Sequence, residues 1–190
     1  MKPHLTLLLL LCPAAAQAGV APGAAFGAGF AHPFLGPDHW LAMLAIGWLA
    51  ARLPRRLAWL PPAGFVFASL LGGLLAFRWP AWTGMEWGIA FSVFSLGLAL
   101  LAGTWLSGRA RVSVACVLAM FGLAHGYAHV IEGYHGEADF FAGFMLATAV
   151  LHLGGYGLAV TLARRLAWTQ NALGVGMALY GLNLLLGMGA

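Results

Sequence analysis

Residues 85–107, MEWGIAFSVFSLGLALLAGTWLS, hold one charged side chain, Glu86, in 23 positions. An apolar stretch of that length is enough to cross the roughly 30 Å hydrocarbon core of a bilayer as an α-helix. It shows no strand-like alternation, and open sheet edges are not viable in lipid. Outward from it, five more segments read the same way: 37–53, 61–77, 112–132, 138–163 and 168–189. Chemistry sets the breaks between them: Pro54-Arg55-Arg56 and Pro61-Pro62 bracket one turn, Arg78-Trp79-Pro80 makes another, and Gly108-Arg109 and Arg164-Arg165 mark two more. Over all 190 residues, 62% are hydrophobic and 7% charged, where soluble domains carry about 25% charged residues. That excludes an ordinary soluble enzyme and a disordered chain. The 27 glycines and eight tryptophans suit membrane helices and their interfaces. The fold class is all-α: a polytopic membrane protein with six transmembrane helices in one domain, residues 19–190.

The start of the chain is different. Met1-Lys2-Pro3-His4 is a short basic opening, Leu5–Leu11 an apolar run, and Ala16-Gln17-Ala18 an A-x-A cleavage signal. Seven apolar residues followed by Pro13 are too short to span, so residues 1–18 read as a cleaved secretory signal peptide. Cys12 leaves with it, and Cys116 alone offers no disulfide. Short-loop Lys/Arg counts orient the spans. Arg52, Arg55, Arg56, Arg109, Arg111, Arg164 and Arg165 share one side, and Arg78 stands alone on the other. The seven face the cytoplasm, both mature termini are periplasmic, and the membrane is the bacterial inner membrane. The formal charge of +4 is therefore topology information. No basic stripe suggests nucleic acid.

With this orientation every acidic residue lies on the outer side: Asp38, Glu86, Glu132, Glu137 and Asp139. The histidines from His32 to His152 lie in the outer half or near the midplane. In the fourth span, His125, His129 and Glu132 fall at i, i+4 and i+7, one helix face. Two imidazoles and a carboxylate there can ligate a borderline metal such as Ni, Zn, Cu or Fe. The plainer reading is a histidine pair hydrogen-bonded to neighbouring helices, but ionisable groups in a span are expensive and usually functional. The first span opens with His32-Pro-Phe-Leu-Gly-Pro37-Asp38-His39. Asp38 suits the positive end of a helix dipole; flanked by His32 and His39 it also forms a capture site at the rim. His39, with the alternative of facing solvent or headgroups, ranks below the other two. Glu86 is either a first-turn dipole carboxylate or a ligand. His152 lies roughly 20 Å along the fifth helix, near or past the midplane. His135, Glu137 and Asp139 read as a solvated loop. Gly122-xxx-Gly126 reads as close helix packing, and Phe65, Ser92, Ser95, Thr148 and Asn183 say little singly. There is no phosphate-binding Gly loop, no ATPase motif, no G-x-S-x-G elbow and no H-E-x-x-H pattern.

His-Pro-x-x-Gly-x-Asp-His after a signal peptide, followed by Leu41-Ala-Met-Leu-Ala-Ile-Gly-Trp48, resembles the HupE/UreJ family of nickel permeases associated with hydrogenase and urease maturation. The resemblance runs on through Glu86, through His125-Gly-x-Ala-His129-x-x-Glu132, and from Gly143-Phe144 to His152. It implies nickel entry from periplasm to cytoplasm, with His32, Asp38, Glu86, His125, His129 and Glu132 as functional residues and Phe65 a weaker candidate. Pro37 departs from the leucine expected there. Cobalt or another divalent ion suits the same donors.

The expected mechanism is capture by His32 and Asp38, with Glu86, then exchange onto His129 and His125 with Glu132 compensating charge, then passage by His152. Imidazole binds metal only when neutral, so uptake weakens below about pH 6.5. The metal is cargo; no permanently bound cofactor is expected. The partners are the divalent ion and membrane lipid, and a homo-oligomer is an open option. Competing readings are a membrane redox protein with haem held between His125 and His152, a metal-dependent membrane hydrolase, and a structural subunit.

Overall fold

The computed structural model describes residues 24–79, 82–103, 105–106, 108–132, 138–165 and 168–189, without the side chains of Glu132 and of residues 163–165. The expected signal peptide, His135 and Glu137 lie outside the described residues. Those described form eight helices and no strand: α1 (Ala24–Leu35), α2 (Pro37–Ala50), α3 (Leu60–Arg78), α4 (Met85–Ala102), α5 (Gly108–Ala119), α6 (Gly122–Glu132), α7 (Ala138–Arg165) and α8 (Thr169–Met188). Five stretches are long and apolar enough to cross a membrane: Leu60–Arg78, Met85–Ala102, Gly108–Ile131, Ala138–Leu162 and Thr169–Met188. The chain is an all-helical, multi-pass membrane protein.

Two expected spans are built differently from a single straight helix. The first, read as 37–53, is α2 alone at 14 residues, about 21 Å, preceded by an α1 that periodicity did not announce. Gly36 between them is extended, at φ −103° and ψ 117°, because a residue before proline is disfavoured in the α region. The fourth, read as 112–132, is α5 and α6 joined by a step at Met120-Phe121. There the backbone bonds tighten to i→i−3, with Met120 N–H to the Val117 carbonyl at 3.1 Å and Phe121 N–H to that of Leu118 at 3.1 Å. Such 3₁₀ interruptions re-aim the residues that follow.

Polarity is inverted relative to a soluble protein. Phe67, Leu70, Leu71, Leu74 and Phe77 of α3 are exposed, whereas His39, Ser69, Ser92, His125, His129, Thr148, His152 and Gln170 are buried. Lipid accepts the former face, and polar groups turn inward to find one another. Exposed tryptophans fall into two sets at opposite ends of the helices. Trp79, Trp82 and Trp87 flank the α3–α4 turn; Trp59, Trp105 and Trp168 flank the arginine-bearing turns. These are the two interfacial belts. At the first end, the Tyr127 hydroxyl of α6 accepts the Trp82 N–H at 2.9 Å and donates to the Trp79 carbonyl, fastening that turn.

Small residues set how close the helices come. A Cβ at Gly47 would fall on the His152 carbonyl, and one at Gly155 on the Leu44 carbonyl, so α2 and α7 touch backbone to backbone. Gly72, Gly122 and Gly126 do the same for α3 and α6, against Leu123, Phe65 and Ser69. The reading of Gly122-xxx-Gly126 as packing holds. These two close pairs, α2–α7 and α3–α6, carry all four buried histidines of the described residues, His39, His125, His129 and His152.

Candidate functional site

His32 ends α1, His39 opens α2, and His125 and His129 lie one turn apart on α6. The break at Gly36 and the step at Met120-Phe121 bring these two broken helices together. One ring nitrogen from each of His32, His39 and His129 lies within 4.8 Å of the others. Ring centroids are 4.7 Å apart for His32 and His129, 4.5 Å for His39 and His129, and 6.2 Å for His32 and His39. His129 is fully buried against Phe144, with centroids 3.9 Å apart. Among the described residues neither of its ring nitrogens has a hydrogen-bond partner. An unsatisfied buried polar group costs about 1–3 kcal/mol, so such a group calls for a reason.

Three imidazoles on separate segments, one of them buried without partners, can hold a borderline divalent cation. Nitrogens about 2.1 Å from a tetrahedral ion sit about 3.4 Å apart. A trio spread over up to 4.8 Å is a loose version of that shell, and small ring rotations tighten it.

His125 stands behind the trio. Its Nδ1 meets the His39 Nδ1 at 3.2 Å, and its Nε2 meets the Ser92 hydroxyl at 3.0 Å. The Ser92 proton is already committed to the Ile89 carbonyl at 2.6 Å, so the hydroxyl accepts from His125 Nε2–H. Neutral His125 then has a bare Nδ1, which accepts from His39 Nδ1–H. The His39 lone pair is thereby fixed on Nε2. A metal-binding histidine usually donates its other N–H to just such an outer partner, which sets tautomer and ring orientation. Ser92 says little by itself in the sequence, because the 33-residue separation from His125 hides the contact from any local pattern. Ser92→Ala leaves His125 Nε2–H without its acceptor and lets the relay flip. We expect about tenfold weaker metal binding to purified protein, the size typical of losing an outer-shell partner, with helicity unchanged by circular dichroism.

The other predicted residues take separate places. Asp38, half-buried in the first turn of α2, accepts the backbone N–H of His39 at 3.0 Å, as the dipole reading anticipates. Glu86 is exposed in the first turn of α4. Glu132 is the last residue of α6, and its side chain lies outside those described. His152 is buried on α7, both ring nitrogens without a hydrogen-bond partner among the described residues. Phe65 lies between it and the upper histidines, with centroids 5.2 Å from His152 and 5.4 Å from His125. The space proposed for haem between His125 and His152 is thus filled by a phenyl ring. On its other side His152 lines a cavity of about 580 Å³ between α3 and α7, whose walls include Val66, Tyr156, Trp59 and Arg55. His152 and Arg55 thus line the same open groove.

The sequence profile of a family described as HupE / UreJ protein matches residues 5–184. Protein HupE of Rhizobium leguminosarum bv. viciae is 36% identical over 159 residues, covering 81% of each chain. A 65-residue segment is 35% identical to the probable anion transporter 3, chloroplastic, of Arabidopsis thaliana, but spans only 12% of that protein. No solved structure matches the chain.

Proposed function

Because the chain belongs to the HupE/UreJ family, we propose that it is a six-span permease of the bacterial inner membrane carrying a divalent transition metal, nickel foremost, from periplasm to cytoplasm. Its role is that of an accessory transporter for hydrogenase or urease maturation rather than of an enzyme. One observation carries the reading: His129 is buried with both nitrogens unsatisfied beside His32 and His39, and a passing cation supplies the missing partner. His32, only half-buried, receives the ion at the outer rim, with Asp38 adding negative potential nearby. Ligand exchange passes it to His129 and His39. Past His125, whose nitrogens are engaged, the next inward are those of His152, beyond Phe65, and from there the cavity toward Arg55 offers release. Conduction needs sites that bind strongly enough to fill and weakly enough to empty. A loose trio followed by a lone histidine suits that requirement. Cobalt fits the same donors, since imidazole-rich sites rank metals by geometry more than by raw affinity.

The test is transport by the purified full-length protein in liposomes containing a trapped metal-sensitive dye. External Ni²⁺ is expected to reach the dye faster than in protein-free vesicles, with Co²⁺ following more weakly. If neither ion enters above the protein-free rate, the permease reading is wrong.

A further inference from the structure

The end opposite the histidines holds a second polar construction. A cavity of about 410 Å³ is lined by Arg52, Arg56, Arg109 and Arg111, with Pro54 and Gly108 completing its rim. Among the described residues no carboxylate belongs to that lining: Asp38, Glu86 and Asp139 all lie elsewhere. Scattered arginines at a membrane face ordinarily reach into water, and Arg56 and Arg109 are exposed in that way. Arg52 and Arg111 are not. Arg111 donates to the carbonyls of Arg52 at 3.2 Å, Gly103 at 3.3 Å and Leu106, while Arg52 donates to Gln170 Oε1. Gln170 is itself buried, receiving the Trp48 indole N–H at 3.2 Å and donating to the Leu100 carbonyl at 2.6 Å. Two like charges are therefore held side by side by neutral acceptors. Each retains a buried Nε with no hydrogen-bond partner among the described residues.

The backbone adds to the same potential. Gly108 adopts φ +50° as it opens α5, a left-handed turn that suits glycine. It sets the first turn of a 12-residue helix, the positive end of its dipole, against the cavity. Guanidinium forks match the oxygens of phosphate in a bidentate way.

We propose that this cavity is a binding site for a phosphate-class oxyanion, which closes the charge deficit left by the four arginines. Trp59 and Trp105, exposed in the two turns that build the cavity, put it at the depth of the headgroups. Basic pockets between helices at that depth take acidic lipid headgroups. The phosphodiester of an anionic phospholipid is thus the source within reach, and free phosphate is the alternative source of the same chemistry.

The site is tested with the full-length protein and two single variants of equal charge change, Arg109→Gln in the lining and Arg55→Gln outside it, in the turn before α3 beside Arg56. Native mass spectrometry after incubation with equimolar phosphatidylglycerol and phosphatidylcholine reads which lipid is retained. Wild type and Arg55→Gln are expected to keep phosphatidylglycerol, and Arg109→Gln to bind it about fivefold more weakly, the worth of one interfacial arginine. Arg56→Gln is expected to repeat the loss. In a second arm, inorganic phosphate is added to lipid-free protein in detergent and the melting temperature is followed. A rise that Arg109→Gln abolishes supports the oxyanion site with soluble phosphate as its ligand; no rise, with the lipid result as expected, assigns it to the lipid. Equal retention of both lipids by the wild type without a phosphate effect overturns the proposal, as does a loss no greater in Arg109→Gln than in Arg55→Gln.

Discussion

Cells expressing His129→Leu are expected to take up nickel at the rate of cells without the protein, while the variant is as abundant and as heat-resistant as the wild type. The two halves of that result come from one arrangement. His129 is fully buried, touches Phe144, and leaves both ring nitrogens without hydrogen-bond partners among the described residues. Leucine has similar volume and nothing to satisfy, so it removes a cost of about 1–3 kcal/mol for each orphaned group and opens no cavity. The melting temperature should hold or rise by a few degrees. Transport is affected in the opposite direction. Zinc sites divide roughly 10–16 kcal/mol among four ligands, so one imidazole of a trio is worth about 3 kcal/mol, at least a hundredfold in occupancy at about 1.4 kcal/mol per tenfold. Stability kept with function lost is the signature of a residue retained for its chemistry. A histidine serving only to pack would give the reverse: uptake preserved wherever the fold is preserved. Radiolabelled nickel uptake, normalised to membrane protein level, decides between them.

Much of this arrangement was legible along the chain, and what escaped did so for definable reasons. Apolar length and the punctuating prolines and arginines outline the helices, because in lipid each crossing must satisfy its own backbone. The spacing of His125 and His129 correctly makes them neighbours on one inward face, both fully buried. Periodicity does not say which helix that face meets. His39 ranked last at the rim because its partner stands 86 residues away; in the fold it joins the trio to His125. His125, read as a ligand, has both nitrogens engaged, by His39 and Ser92. The break at Gly36 is written in Gly36-Pro37, yet its consequence, a separate α1 lying along α7, depends on Gly29 and Gly143 admitting the backbones of Phe140 and Phe26. The step at Met120-Phe121 has no proline or glycine of its own at those two positions, and local preference does not announce it. Interrupted helices inside membranes persist where they frame a polar site. Both interruptions here end on the same histidines.

Gly126→Leu is expected to cost stability and transport together, on the order of 3 kcal/mol and most of the uptake. Gly126 lies on α6 between His125 and His129, and a Cβ there would overlap backbone atoms of Ser69 on α3. Backbone has no rotamer to give, so the helices must part, which places the effect at the upper end of the usual overpacking range. The displacement is transmitted directly to the site. Ser69 donates to the Phe65 carbonyl at 2.8 Å, and Phe65 is wedged between His125 and His152. Moving α6 off α3 therefore loosens the histidines and the ring between them at once. Gly126→Ala should show a smaller loss of the same kind, because the first added carbon already meets the backbone. Gly157 provides the comparison: it is exposed on α7 with nothing within 4 Å of an added Cβ. Gly157→Ala is expected to melt at or slightly above the wild type, since alanine is favoured over glycine within a helix by up to about 1 kcal/mol. Melting temperatures in one detergent, beside nickel uptake in cells, check the series. Equal tolerance at positions 126 and 157 would mean that α3 and α6 are not in backbone contact, and the histidines would then need another scaffold.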